Sequence, residues 1–137
     1  MFTIRKKFKV EYAHQLCKAY SKCCSDQIHG HSGIIELFFK SSALDSTGMV
    51  IDFGELRKEL KPYIDSWDHS LIMSDQMNKN YLKCLKKFNK NLKIVPYNPT
   101  CENMTKDIFY HIKNMGYKDL YKVRMHETDT GYGEYFE

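Results

Sequence analysis

The sequence predicts an α+β domain in which helices cover one face of an antiparallel sheet. Three observations lead there. Residues 2–14, and again the run that follows His31, alternate apolar and polar positions with the two-residue period of a half-buried strand. Two later stretches repeat apolar residues at three- and four-residue steps behind strong helix-start signals. The elements come in the order strand, strand, helix, helix, strand, strand, with no linker and no internal repeat. The 137 residues therefore form one domain, 1–137, long enough to bury a core without disulfides or a metal staple.

In the first strand Phe2, Ile4, Phe8, Val10, Tyr12 and His14 share one face, and Thr3, Arg5, Lys7, Lys9 and Glu11 take the other. A polar, cysteine-bearing loop from about Gln15 to Ile28 leads to the second strand. That strand runs through Ile34 to Lys40, with His31, Gly33, Ile35, Leu37 and Phe39 on the matching face. Leu44 to Met49 is a turn. Asp52 then accepts from the first free amides of a helix and Glu55 completes a capping box. Phe53, Leu56, Leu60 and Ile64 form the buried stripe of this helix, which ends near Trp67 and which Pro62 is expected to kink or break.

Residues 75–95 set Lys79, Lys83, Lys86, Lys87, Lys90 and Lys93 against a single acid, Asp75, and Tyr81, Leu82, Leu85 and Phe88 predict a short amphipathic helix. Leu92 to Val95 is a short strand-like run closed by Pro96-Tyr97-Asn98-Pro99. Thr100 caps the second main helix, with Met104, Ile108, Ile112 and Met115 on its buried face and Gly116 at its end. The third strand places Tyr121, Val123, Met125 and Glu127 on one face and Lys122, Arg124 and His126 on the other. Thr130 to Gly133 turns the chain into a last short strand ending at Phe136.

No stretch approaches the roughly 20 apolar residues of a membrane span, and the N-terminus enters a charged strand instead of a signal-peptide apolar region. A cytoplasmic protein without a membrane partner is expected. Five cysteines, an odd number that includes the adjacent pair Cys23-Cys24, point to reduced thiols. The formal charge of +4 suits an anionic small molecule without requiring nucleic acid.

The chemistry concentrates between Cys23 and His31. His29 and His31, one residue apart on an extended segment, point to the same side and can reach one ion. Antiparallel pairing with the first strand brings His14 to them. Three imidazoles leave the fourth position of zinc open, the pattern of catalytic sites. Two other readings stand beside this one: a closed site mixing Cys17 and Cys24 with His29 and His31, and a buried polar cluster satisfied by hydrogen bonds. Cys24, five residues before His29, is suited to be a general base if a nearby cation favours its thiolate, and Cys23 competes for the role. His69 beside Asp68 suits proton transfer near neutral pH, or equally a helix C-terminus where it satisfies free carbonyls. Glu127 points inward, to a ligand with an amidine-like edge or to an internal cation. The lysine run either steers a polyphosphate or is a solvated helix face.

His14, Cys24, His29-Gly30-His31, Ile51-Asp52-Phe53, Asp68-His69, Pro99-Thr100-Cys101-Glu102-Asn103 and His126-Glu127-Thr128-Asp129-Thr130, in that order, resemble the 6-pyruvoyl-tetrahydropterin synthase and 6-carboxy-tetrahydropterin synthase family over nearly the whole chain. The resemblance implies the tunnelling fold (T-fold), a four-stranded antiparallel sheet with two main helices on one face that assembles into barrels, as a homohexamer with sites shared between subunits. It implies zinc on His14, His29 and His31, proton handling by Cys24, Asp68 and His69, a pterin anchor at Glu127, and Thr100 and Glu102 lining or supporting the pterin pocket. Two features depart from the family pattern: the paired cysteines, and a lysine-rich segment between Ser74 and Pro96 longer than in compact members.

The activity so implied is that of a lyase converting 7,8-dihydroneopterin triphosphate to 6-carboxy-5,6,7,8-tetrahydropterin, acetaldehyde and triphosphate in queuosine and deazapurine biosynthesis. The Cys-x4-His-Gly-His spacing resembles that branch. The alternatives are triphosphate elimination alone, giving 6-pyruvoyl-tetrahydropterin, and a non-catalytic zinc-stabilised module whose basic helix contacts an anionic partner.

Overall fold

A computed structural model describes all 137 residues. The strands are β1 (Phe2–His14), β2 (His29–Ser41), β3 (Ser70–Ser74), β4 (Leu92–Val95), β5 (Leu120–His126) and β6 (Tyr132–Phe136), and the helices α1 (Lys22–Ser25), α2 (Phe53–Asp65), α3 (Lys79–Phe88) and α4 (Cys101–Asn114). They build one mixed sheet in the order β4-β3-β1-β2-β5-β6. The expected four strands make its antiparallel part, β1-β2-β5-β6. On the other side of β1, the short strands β3 and β4 extend the sheet in parallel.

Strand β3 escapes the periodicity argument because all five of its residues are buried. Its Ile72 joins the main core, while Leu71 and Met73 pack on the opposite side with Leu82 of α3. A strand covered on both faces has no polar side to alternate with. The two faces are thus covered differently. Leu56, Leu60 and Ile64 of α2 and Met104, Ile108 and Ile112 of α4 pack on the face bearing Val10, Tyr12, Ile35 and Leu37. Helix α3 lies on the other face, over one end only, against Ala13 and β3.

The caps are as expected. Asp52 accepts from the Gly54 and Glu55 amides, Thr100 accepts from Asn103, and Gly116 adopts a left-handed φ of 105° beyond α4. Pro62, in contrast, does not break α2, which continues to Asp65. Pro62 lies on the exposed side within the last turn, so water can take the Lys58 carbonyl that its missing amide leaves free. Met115 is also on the surface, since α4 ends at Asn114. A register shift opposite Phe38 and Phe39 puts Leu120 in the core and turns Tyr121 outward against Phe38, at a ring separation of 6.4 Å. All five cysteines are free thiols, and no helix is long and apolar enough to cross a membrane.

Candidate metal centre

Pairing of β1 with β2 sets His14 opposite His29 and Tyr12 opposite His31. All three imidazoles take the core-facing parity, and their ring centres lie 4.5, 5.0 and 5.1 Å apart. One ring nitrogen from each falls within 4.8 Å of the others. The centre sits where β1 ends and β2 begins, alongside the end of β5 and the entry to α4.

Neighbouring carbonyls set the tautomers. His14 Nδ1 is 2.8 Å from the Pro99 carbonyl oxygen, which can only accept, so this nitrogen carries the proton and Nε2 keeps its lone pair. His29 Nδ1 faces the Gln27 carbonyl at 3.3 Å with the same consequence. His14 Nε2 and His31 Nε2 are 3.2 Å apart, so one proton is shared between two coordinating nitrogens. With that single proton moved to His31 Nδ1, both Nε2 atoms present lone pairs to a divalent cation. Burial pushes the His14 imidazole down to about 4, helped by His29 and His31 and opposed by the Pro99 hydrogen bond. It also lowers His31. Neutral imidazoles with inward lone pairs are what zinc takes, and the donor set fits it.

Glu127 reaches this centre from just beyond β5, its Oε1 3.7 Å from His14 Nε2. No Lys or Arg pairs with it. Thr100 caps α4 beside Pro99, and Glu102 stands in the first turn of that helix. The inward thiol of Cys101 donates to the Met125 carbonyl at 3.0 Å.

Cys24 belongs to the single turn α1, anchored where the Leu16 amide donates to its carbonyl at 2.9 Å. Its thiol is pushed up, by burial first and then by its neighbour Cys23, whose sulfur lies 3.8 Å away. The exposed Cys23 turns to the Ser21 hydroxyl at 2.8 Å, which lowers its pKa. The three-histidine cluster includes neither these thiols nor Cys17, whose thiol turns to Asn98 at 3.3 Å.

Asp68 and His69 are not brought to the cluster within one chain. Asp68 Oδ1 accepts from the Glu11 amide at 2.7 Å, and the His69 amide donates to the Glu11 carbonyl at 2.5 Å. Asn91 Nδ2 donates to the carbonyls of both, at 3.2 Å each. So tethered, His69 takes a left-handed φ of 54° and turns its side chain, 80% exposed, into a groove of about 610 Å³. Glu11, Ala13 and Ser32 line that groove, and their parity puts it on the far face of the sheet from His14. The end of the lysine helix and the turn after it border the groove through Phe88, Asn89 and Lys90.

Two participants were not singled out by sequence reasoning. The Pro99 carbonyl orients His14 across 85 residues and has no side-chain signal. Tyr12 showed only its core-facing parity, yet its ring meets His14 edge-on at 5.4 Å and His31 at 5.5 Å.

Solved structures fix the class. An uncharacterized protein from Wolinella succinogenes superposes with a TM-score of 0.82 at 18% identity, over 99% of this chain and 98% of that one. The 6-pyruvoyl tetrahydropterin synthase of Caenorhabditis elegans superposes with a TM-score of 0.72 at 22% identity, over 99% and 95%. The domain is a T-fold with a cluster of histidines able to hold a metal ion.

The family follows from sequence. Residues 3–137 match the model of the 6-pyruvoyl tetrahydropterin synthase family. The chain is 33% identical to the 6-carboxy-5,6,7,8-tetrahydropterin synthase of Haemophilus influenzae, with 100% of each covered. It is 27% identical to the protein of that name from Helicobacter pylori strain J99, over 97% of this chain and 72% of that one. The chain belongs to the 6-pyruvoyl tetrahydropterin synthase family.

Proposed function

We propose that this protein is a zinc-dependent 6-carboxy-5,6,7,8-tetrahydropterin synthase, a lyase that converts 7,8-dihydroneopterin triphosphate to 6-carboxy-tetrahydropterin, acetaldehyde and triphosphate, the reaction class that feeds queuosine and deazapurine synthesis. The observation that carries the reading is the set of three imidazoles whose ring nitrogens converge within 4.8 Å of one another next to an inward carboxylate. The name shared by the Haemophilus influenzae and Helicobacter pylori relatives favours the carboxy product over the pyruvoyl one.

His14, His29 and His31 would hold the zinc, which when bound supplies Lewis-acid polarisation of the substrate's side-chain hydroxyls. The remaining chemistry belongs to the protein. Glu127, with no Lys or Arg to neutralise it, binds the guanidine-like edge of the pterin and fixes the ring, and Thr100 and Glu102 support that pocket. Cys24 removes a proton from the side-chain carbon, a role supported by its spacing before the His29-Gly30-His31 step. His69, steadied by Asp68, returns protons. Because His69 projects from the far face of its own sheet, the His69 that serves this centre comes from a second copy. A homo-oligomer with shared sites, hexameric in the family's manner, is therefore part of the proposal.

The test is incubation of the zinc-loaded protein with 7,8-dihydroneopterin triphosphate and identification of products by mass. Acetaldehyde with a carboxylated tetrahydropterin is expected. A pyruvoyl product without acetaldehyde would overturn the choice of branch, and unchanged substrate would overturn the enzyme reading.

A further inference from the structure

Tyr12, next to the histidine cluster, is a buried polar group with no part in the proposed mechanism. The residue is 4% exposed, and its hydroxyl has no hydrogen-bond partner. An unsatisfied buried hydroxyl gives up its water hydrogen bonds for nothing in return, so it calls for an explanation.

The ring has little freedom to relieve this. It is flanked by the His14 and His31 imidazoles. Gly33 backs it so closely that a Cβ there would stand 2.9 Å from Tyr12 Cε1. What can move is the neighbouring carboxylate of Glu127, which accepts no hydrogen bond and whose one ion-pair contact is His14 Nε2 at 3.7 Å. The other inward donor nearby, the Cys101 thiol, is committed to the Met125 carbonyl. Tyr12 is thus a donor without an acceptor beside Glu127, an acceptor without a donor.

We propose that Tyr12 is the positioning residue for Glu127: its hydroxyl donates to one carboxylate oxygen, keeps the group off the metal's open position, and leaves the other oxygen for the ligand. The proposal rests on the pterin reading of the site. His14 Nε2 is the lone pair that the metal takes, so a carboxylate standing beside it is poised to become a fourth ligand unless something restrains it. A carboxylate on the metal would close the position that substrate needs.

Tyr12→Phe keeps the ring and removes only the donor. The probe is 6-carboxypterin, titrated by its own fluorescence into the zinc-loaded protein, with Glu127→Gln and the double variant alongside. Tyr12→Phe is expected to bind the probe roughly tenfold more weakly, with zinc content unchanged. Added to Glu127→Gln, it should cost little more, because the two residues act as one unit. In the cobalt-substituted protein without probe, Tyr12→Phe should also change the visible absorption, as the freed carboxylate reaches the ion. If the unaltered protein binds the probe and Tyr12→Phe binds it equally well, or if the two losses simply add, the positioning role is wrong while the pterin reading stands. If the unaltered protein does not take the probe at all, the pterin reading falls and the proposal with it.

Discussion

His14 is held more firmly than its two partners, being buried and hydrogen-bonded to Pro99. His14→Ala should therefore abolish stoichiometric zinc binding, measured by atomic emission, with the fold intact by circular dichroism. For the thiols, Cys24→Ala should retain zinc and lose turnover by roughly 10²–10⁴-fold, whereas Cys23→Ala should remain near the unaltered rate. The reverse result would move the base to Cys23. The histidine cluster was legible in the sequence because strand parity is a local property: alternation along β1 and the His-Gly-His step each fix a face without any knowledge of the partner. The Pro99 carbonyl and the Tyr12 hydroxyl were not legible. The first is a backbone group brought in from 85 residues away, and the second is defined by what it fails to touch.

Strand β2 has a different constraint on each of its faces. On the core face, a Cβ on Gly33 would lie 2.9 Å from Tyr12 and 3.1 Å from the His126 carbonyl oxygen. Gly33→Ala should cost about 1–3 kcal/mol in denaturant unfolding through overpacking. On the far face, Glu36 is 1% exposed and accepts from His126 at 3.0 Å, with Arg5, Lys7 and Arg124 at 3.1, 3.4 and 3.6 Å. Burial alone would raise its pKa, but the His126 hydrogen bond and the Arg5 and Lys7 charges outweigh it and leave the carboxyl below its usual value. A pKa depressed by folding stabilises above the unfolded value, about 4.3, and that contribution disappears as the pH falls through the folded one. Glu36→Gln should thus lower the melting temperature at pH 7, and the gap should narrow below about pH 4. At this scale the amphipathic elements and their caps were readable. Strand β3 was not, since burial on both faces erases periodicity, and the displacement of Tyr121 by Leu120 comes from a register shift that only the pairing with β2 creates.

Across the molecule, the core that α2 and α4 share with the sheet does not depend on the histidine cluster. Chelation should therefore leave the far-ultraviolet circular dichroism nearly unchanged while abolishing turnover, in contrast to a zinc-stapled module, which would unfold. Mixing His29→Ala and His69→Ala subunits should restore part of the activity that each lacks alone, because a site drawing on two copies can be rebuilt from complementary halves. No recovery after subunit exchange would confine the site to one chain. The left-handed backbone at residue 69 bears on the same question from another direction. A side chain in that conformation costs about 1–2 kcal/mol that glycine avoids, so His69→Gly should raise the melting temperature while silencing the chemistry. A molecule that is sturdier without one of its imidazoles is carrying that imidazole for a reason other than its own endurance.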